Sequence, residues 1–516
     1  MIPIALMAAL SLQVQDVGQY GWIVRQGHDT VSVEQVTRRP GELRADVLVP
    51  GRARLKVVAS TTPHGCVTAA SVSVFPWGSA PEATPVQRVE VRLDGDSVRV
   101  AAQARDVSRT GVVPAPDARF VLAGDSYAAS VLVVECALAS GADSVDLPVV
   151  AFPNLRTRTV GVRRHGTLVT VVGDDSARVW LDESALPVHV EVGRGGVVLE
   201  RVALAQIVTA GVDASDYSAP PGAEYTAENV TVPVERGVVL AGTLTMPRNA
   251  SEQMPAVVTV SGSGAQNRDS FAAIAGGWRP FRQIAEELAA HRIAVLRFDD
   301  RGVGASTGDY ATGTEVTAAA DVRAAVAYLR RRPDIDPGRI AVLGHSEGAR
   351  VAMLVGAGDS ALAGLVLLSG AADTRAAMRA QALWLAEHTS GAPAISRDSL
   401  IARVDREVDS LAVTARREVY RWDAARVAQR IRVPVAVFHG ETDRQVPADQ
   451  ADSLGVVFKR SGNADVTVQV FPGVNHLLVH DAVGDFLQYE RLESADVAEE
   501  VLTALGNWLA ARLGRR

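Results

Sequence analysis

The stretch Ile340-Ala341-Val342-Leu343-Gly344-His345-Ser346-Glu347-Gly348-Ala349 is an apolar run that enters Gly-x-Ser-x-Gly and continues as a helical pattern. A sharp strand-to-helix turn of this kind lifts a serine oxygen clear of a sheet. The helix N-terminus behind it favours developing negative charge. Ser346 is therefore a candidate nucleophile. Gly304-Ala305-Ser306-Thr307-Gly308 has the same spacing, but it follows Asp299-Asp300-Arg301-Gly302 in a loop and opens no helix. Ser306 lacks the setting that the chemistry requires.

A serine hydroxyl is a weak nucleophile; it needs a base, and the base needs an orienting carboxylate. Downstream, the apolar run Val433–Phe438 ends in His439-Gly440-Glu441-Thr442-Asp443, and Val466–Val470 ends in Phe471-Pro472-Gly473-Val474-Asn475-His476. Asp443 and His476 thus leave the carboxyl ends of successive strands, the edge where open α/β sheets bind ligands. Glu441 and Asp449 compete for the acid position, His439 and His480 for the base. An oxyanion needs backbone donors. The N–H of Glu347, directly after the nucleophile, is one candidate. The second is Ser263, in the loop Ser261-Gly262-Ser263-Gly264-Ala265-Gln266-Asn267-Arg268-Asp269 that follows the run Ala256–Val260.

These residues need a framework, and the pattern supplies one. Short apolar runs at Ala256–Val260, Ile293–Phe298, Ile340–Gly344, Gly364–Leu368, Val433–Phe438 and Val466–Val470 alternate with helical periodicity at Phe281–His291, Val316–Arg332, Pro447–Arg460 and Ala495–Leu513. That alternation predicts a mostly parallel sheet with helices on both faces, preceded by a hairpin at Val230–Val234 and Val238–Met246. Residues 371–430 carry no strand signal; Leu400, Val404, Val408 and Leu411 recur at helical spacing, which predicts a helical cap. Upstream, residues 18–211 read as an antiparallel all-β domain. Arg88-Val89-Glu90-Val91-Arg92-Leu93 alternates, turns at Asp94-Gly95-Asp96-Ser97 and resumes as Val98-Arg99-Val100. Residues 212–226 have linker composition, and the catalytic domain is expected over 227–516. Residues 1–17 contain an apolar stretch of signal-peptide length, too short to span a bilayer, which takes roughly 20 apolar residues. The chain is thus expected to be exported, to the periplasm or beyond, with no transmembrane segment.

Composition removes other chemistries. Among 52 basic residues only Lys56 and Lys459 are lysines, and neither follows a glycine as a phosphate-cradling loop would require. Two cysteines, Cys66 and Cys136, cannot build a zinc ribbon or an iron–sulfur cluster, and no His-Glu-x-x-His occurs among ten histidines. No metal and no cofactor is expected. In an oxidising compartment the two cysteines could pair; otherwise they are buried thiols. With 59 acidic residues, a net charge of -7 and no clustered basic face, nucleic acid is not an expected partner.

From about 227 to the C-terminus the chain resembles the α/β-hydrolase fold serine hydrolases, and within them the bacterial esterase and serine aminopeptidase-like branch. The matching pieces are Gly262-Ser263-Gly264 with Arg268-Asp269, Arg297 to Ser306, Gly344-His345-Ser346-Glu347-Gly348, Gly440-Glu441-Thr442-Asp443 and Gly473-Val474-Asn475-His476. Ser261-Gly262 stands where many relatives have His-Gly. The resemblance implies a Ser346–His476–Asp443 triad with oxyanion donors Ser263 and Glu347, acting on a small-molecule ester or, alternatively, a peptide. An aminopeptidase would need cap carboxylates for the substrate ammonium, and Glu387, Asp398, Asp405, Glu407 and Asp409 lie there. The β domain suggests a polymer- or envelope-binding module or a packing partner.

Overall fold

A computed structural model describes residues 18–514 apart from 27–28, 50–52, 77–83, 105–106, 124–125, 153–154, 174–175, 194–195, 210–215, 249–251, 273–274, 276, 311–312, 389–395, 412–421 and 490–491. The expected export segment 1–17 lies outside the described residues, as do parts of the expected linker and cap. The chain divides into two compact units, with the principal division between Asp213 and Ala214. No helix among the described residues is long and apolar enough to cross a membrane.

The first unit is built on a 15-stranded sheet. Its first strand, Gly18–Gln26, lies between Asp29–Arg39 and Val197–Val202, antiparallel to both. The expected hairpin is present, with Gln87–Asp94 paired to Ser97–Ala104 and Asp94 opposite Ser97. One feature was not legible: a helix, Tyr127–Leu138, joins the parallel pair Phe120–Ala123 and Ser144–Phe152. Its sequence, YAASVLVVECAL, is apolar on almost every side, so it shows no amphipathic period. The helix packs on Glu42–Val49 as well as on Phe120–Ala123 and Ser144–Phe152, strands far apart in the sheet order. The sheet therefore curls around it, as long twisted sheets must.

Polar links fix this helix. The buried Glu34 carboxylate accepts the Ser126 hydroxyl at 2.9 Å and the N–H groups of Tyr127 and Ala128 at 2.7 and 3.0 Å. These donors have no intrahelical acceptor. Arg38 forms a two-pronged ion pair with Glu135 at 2.7 and 2.6 Å, and Cys136 is disulfide-bonded to Cys66.

In the second unit, strands are labelled β1 Tyr225–Glu235, β2 Val238–Pro247, β3 Met254–Val260, β4 Ala294–Phe298, β5 Ile335–His345, β6 Gly364–Leu368, β7 Val435–Gly440 and β8 Val466–Phe471. They form a sheet in the order β1-β2-β4-β3-β5-β6-β7-β8, antiparallel up to β2–β4 and parallel from there. Helices are α1 Pro280–Ala290, α2 Glu315–Arg330, α3 Glu347–Gly356, α4 Thr374–His388, α5 Arg397–Leu411, α6 Ala424–Ala428, α7 Asp449–Arg460 and α8 Glu499–Leu513. Alternate residues of each central strand enter opposite cores. Ala256, Val258, Ile340, Val342, Val435 and Val437 meet α2, α3 and α7, where Val322, Val355 and Phe458 are buried. Val257, Ala341, Leu343, Ala436 and Phe438 meet α1 and α8, through Ile284, Leu288, Leu505 and Leu509. Strands covered on both faces read as continuous apolar runs, which is why their positions could be found. Helices α4 and α5 occupy the expected cap, between β6 and β7.

Candidate active site

The carboxyl edge of the parallel strands carries three side chains in hydrogen-bonded sequence. Ser346 sits between β5 and α3 with φ 55° and ψ -115°, a strained conformation for a non-glycine residue. Its N–H is held by the Leu368 carbonyl at 2.8 Å. Ser346 Oγ lies 3.1 Å from His476 Nε2, and His476 Nδ1 lies 2.7 Å from Asp443 Oδ2. Since an ionised carboxylate only accepts, Nδ1 carries the proton, and the Nε2 lone pair faces the serine hydroxyl. Ser346 is half-buried, whereas Asp443 and His476 are buried.

Asp443 accepts more than one histidine. Its Oδ1 takes the N–H groups of Gln445 and Val446 at 2.9 and 2.8 Å. Its Oδ2 also lies 3.2 Å from Nε2 of the fully buried His439, which donates as well to the Val446 carbonyl at 2.8 Å. Burial alone pushes this carboxyl up, but the two histidines outweigh it and hold Asp443 well below the ordinary carboxylate range.

The histidine is held by its own surroundings. His345 Nε2 donates to the His476 carbonyl at 2.9 Å, and Trp278 Nε1 donates to the Leu477 carbonyl at 2.9 Å. The Trp278, His345 and His476 rings follow one another at centroid distances of 5.5 and 5.0 Å. Burial first, and the neighbouring His476 second, pull His345 down to about 3. His345 therefore stays neutral at any working pH and serves as a donor.

The competitors go elsewhere. Ser306 is buried; its Oγ donates to the Asp299 carbonyl at 2.7 Å and accepts the Ala241 N–H at 2.9 Å. Glu441 accepts the Gly473 N–H at 3.0 Å, Asp449 opens α7, and His480 pairs at the surface with Glu500.

Glu347 is the first residue of α3, where a backbone N–H has no intrahelical acceptor. Across from it, the loop after β3 approaches the nucleophile at Gly262, where a Cβ would stand 3.3 Å from Ser346 Cβ. Ser263 follows, exposed, with its carbonyl accepting Gln266 Nε2 at 2.9 Å. A cleft of about 820 Å³, mouth included, opens beside this loop and is lined by Ser261, Gly262, Asp300, Tyr310, Glu315 and Glu347 among others. Sequence reading weighed His439 only as a rival base and passed over His345, Trp278, Gln266 and Asp300 as parts of the site. Asp300, Gln266 and the two histidines carried a signal, as members of the quoted segments, and Trp278 carried none.

The strand order, the strained serine turn and the shared carboxyl edge define an α/β-hydrolase fold. Residues 278–482 match the family described as serine aminopeptidase, S33. An uncharacterized protein of Mycobacterium tuberculosis, present in two strains, is 34% identical over 126 residues, which is 24% of this chain and 39% of the relative. The match thus spans well under half the length of that relative. Among solved structures, an esterase of Pyrococcus furiosus is similar at 19% identity and a TM-score of 0.41, covering 58% of this chain and 96% of that one. An α/β hydrolase from a Penicillium species is similar at 19% identity and a TM-score of 0.39, covering 56% and 99%.

Proposed function

We propose that the chain is a serine hydrolase that cleaves carboxylic esters through an acyl-enzyme. The observation that carries this reading is the relay Ser346 Oγ, His476 Nε2, His476 Nδ1, Asp443 Oδ2 at 3.1 and 2.7 Å. Ser346 attacks the acyl carbon while His476 takes the hydroxyl proton, and Asp443 stabilises the imidazolium that forms. The backbone N–H groups of Glu347 and Ser263 receive the oxyanion. His476 then returns the proton to the departing alcohol. Water, deprotonated by the same imidazole, releases the acid. The same reading places the chain outside the cytoplasm, supported by the Cys66–Cys136 disulfide and the apolar N-terminal stretch.

An aminopeptidase would run the same steps but must hold a substrate ammonium. Two of the cap carboxylates that could do so are occupied. Asp405 accepts Arg379 at 2.8 and 2.7 Å, and Asp409 accepts Arg375 at 2.6 Å. This favours the ester.

Labelling with a fluorophosphonate, followed by turnover of p-nitrophenyl esters against aminoacyl-arylamides, tests both points. Wild type is expected to label and to prefer esters. Ser346→Ala is expected to lose labelling and at least about 10⁴-fold in kcat. A Ser346→Ala protein with wild-type turnover would sink the mechanism; a higher kcat/KM on arylamides would replace esterase by peptidase.

A further inference from the structure

Asp300, at the end of β4, makes contacts that the triad chemistry does not use. Its Oδ1 accepts the Ser261 hydroxyl at 2.5 Å and its Oδ2 accepts the Gln266 N–H at 2.9 Å. The Asp300 N–H returns a bond to the Gln266 carbonyl at 3.1 Å. One carboxylate therefore clamps both ends of the segment 261–266. Inside that ring the Gln266 side chain straps the Ser263 carbonyl at 2.9 Å. The segment between the clamps holds Gly262, against Ser346, and Ser263, whose N–H the proposed mechanism uses. Neighbouring Asp299 anchors the next part of the loop, accepting the Arg268 N–H and guanidinium at 2.8 Å.

We propose that Asp300 is the positioning residue of the oxyanion loop, holding the Ser263 N–H in place for catalysis by clamping both ends of the segment that carries it. The inference rests on the serine hydrolase reading. It follows from the bond pattern: one carboxyl oxygen meets the Ser261 hydroxyl, the other the Gln266 N–H, and the hydroxyl can accept from a protonated carboxyl as well as donate to the ionised form. The charges around it make that form costly. Asp299, next to it in the chain, and Glu347 at the start of α3 both raise it, and Glu315 and Asp321 of α2 line the same cleft. The nearby cations are directed elsewhere: Arg268 to Asp299, Arg301 to Asp321 and Glu235, and Arg350 to Glu315 and Glu347. Desolvation, with the Asp299 and Glu347 charges adding to it, pushes Asp300 up to about 7, against the opposing bonds from Ser261 and Gln266. As pH falls through that value the carboxyl takes a proton and the Ser261 hydroxyl turns from donor to acceptor, so the clamp closes on either form.

The test compares full-length wild type, Asp300→Ala, Asp300→Asn and Ser261→Ala on a short p-nitrophenyl ester from pH 5 to 9. Binding of a boronic acid transition-state mimic and thermal unfolding are followed in parallel. Asp300→Ala is expected to lose about 10²-fold in kcat, the scale of one oxyanion donor, with KM within about threefold. Boronate affinity should fall in proportion to kcat. Asp300→Asn can accept from Gln266 and donate to the Ser261 oxygen, so it should recover most of the rate. Ser261→Ala, which removes one clamp only, is expected to lose about fivefold in kcat, a fraction of that donor effect. The inference is overturned if Asp300→Ala and Ser261→Ala both keep wild-type kcat. It is equally overturned if kcat falls only in step with unfolding, or if Asp300→Asn, with both bonds restored, is as slow as Asp300→Ala. A wild type that neither labels with fluorophosphonate nor turns over esters would instead remove the hydrolase reading and this one with it.

Discussion

His345 shows how a residue beside the candidate nucleophile can matter through what it holds. Its ring lies between Trp278 and His476, and its Nε2–H holds the His476 carbonyl. In the unfolded chain a histidine titrates near 6.5, whereas here it is pulled down to about 3. Between those values the unfolded chain binds a proton that the folded one refuses. Stability contributed by this group is therefore complete above about pH 6.5 and is lost progressively as pH falls toward 3. Asp300 has the opposite sign, because its folded value is raised; its contribution declines as pH rises from about 4 to 7. His345→Gln keeps a donor but no titrating ring. Thermal unfolding at pH 4 and pH 7 is expected to show a smaller acid-induced drop in Tm for His345→Gln than for wild type. An unchanged drop would mean that the buried imidazole is not what acid attacks. The candidate triad residues stand out in the sequence because each follows an apolar strand. His345 and Asp300 stand in the same motifs, yet their partners are 131 and 34–39 residues away, and only folding reveals them.

Elements meet at this edge more closely than side chains would allow. A Cβ on Gly348 would stand 2.3 Å from the Val260 carbonyl oxygen, so α3 touches the end of β3 backbone to backbone. At Gly440 a Cβ would stand 2.2 Å from the Val474 oxygen and 2.6 Å from the Asn475 oxygen. That contact sets the spacing between the turn carrying Asp443 and the loop carrying His476. Gly440→Ala must push these apart, because neither carbonyl is the end of a flexible chain. We expect it to cost about 1–3 kcal/mol of stability, as overpacking does, and to lower kcat at least about tenfold through the lengthened Asp443–His476 bond. Thermal unfolding and ester kinetics on the one variant check both; wild-type values would show that the edge yields. The same logic explains what patterns could reveal. Buried parallel strands announce themselves, and Gly364–Leu368 was placed to the residue. The strand β5, by contrast, begins at Ile335 and not at Ile340, because Ile335 pairs with Met254 ahead of the polar and turn-forming residues Asp336-Pro337-Gly338 that interrupt the apolar run. The helix Tyr127–Leu138 stayed hidden because its surroundings, and not its periodicity, make it helical.

At the scale of the whole molecule, chemistry and crosslinking lie in different units. Every residue of the candidate site belongs to the unit from Ala214 onward, and the disulfide lies within the other. That disulfide joins residues 70 apart and ties the enclosed helix to the turn between two strands, Ala53–Thr61 and Val67–Pro76. Closing a loop of that length restricts the unfolded chain, an effect of about 4 kcal/mol on the unit that contains it. The effect exists only where the bond forms, which ties the stability of this unit to an oxidising compartment. Protein recovered from the periplasm or medium is therefore expected to titrate with no free thiol until it is denatured and reduced. Cys136→Ser, or reduction, should lower the temperature at which the strand-rich unit melts by far-UV circular dichroism. Ester turnover at 25 °C should remain within about twofold, because no group that binds or activates the acyl carbon is crosslinked. Two free thiols in the isolated protein would remove the argument for export. A loss of turnover on reduction with the fold intact would mean that the first unit takes part in the chemistry.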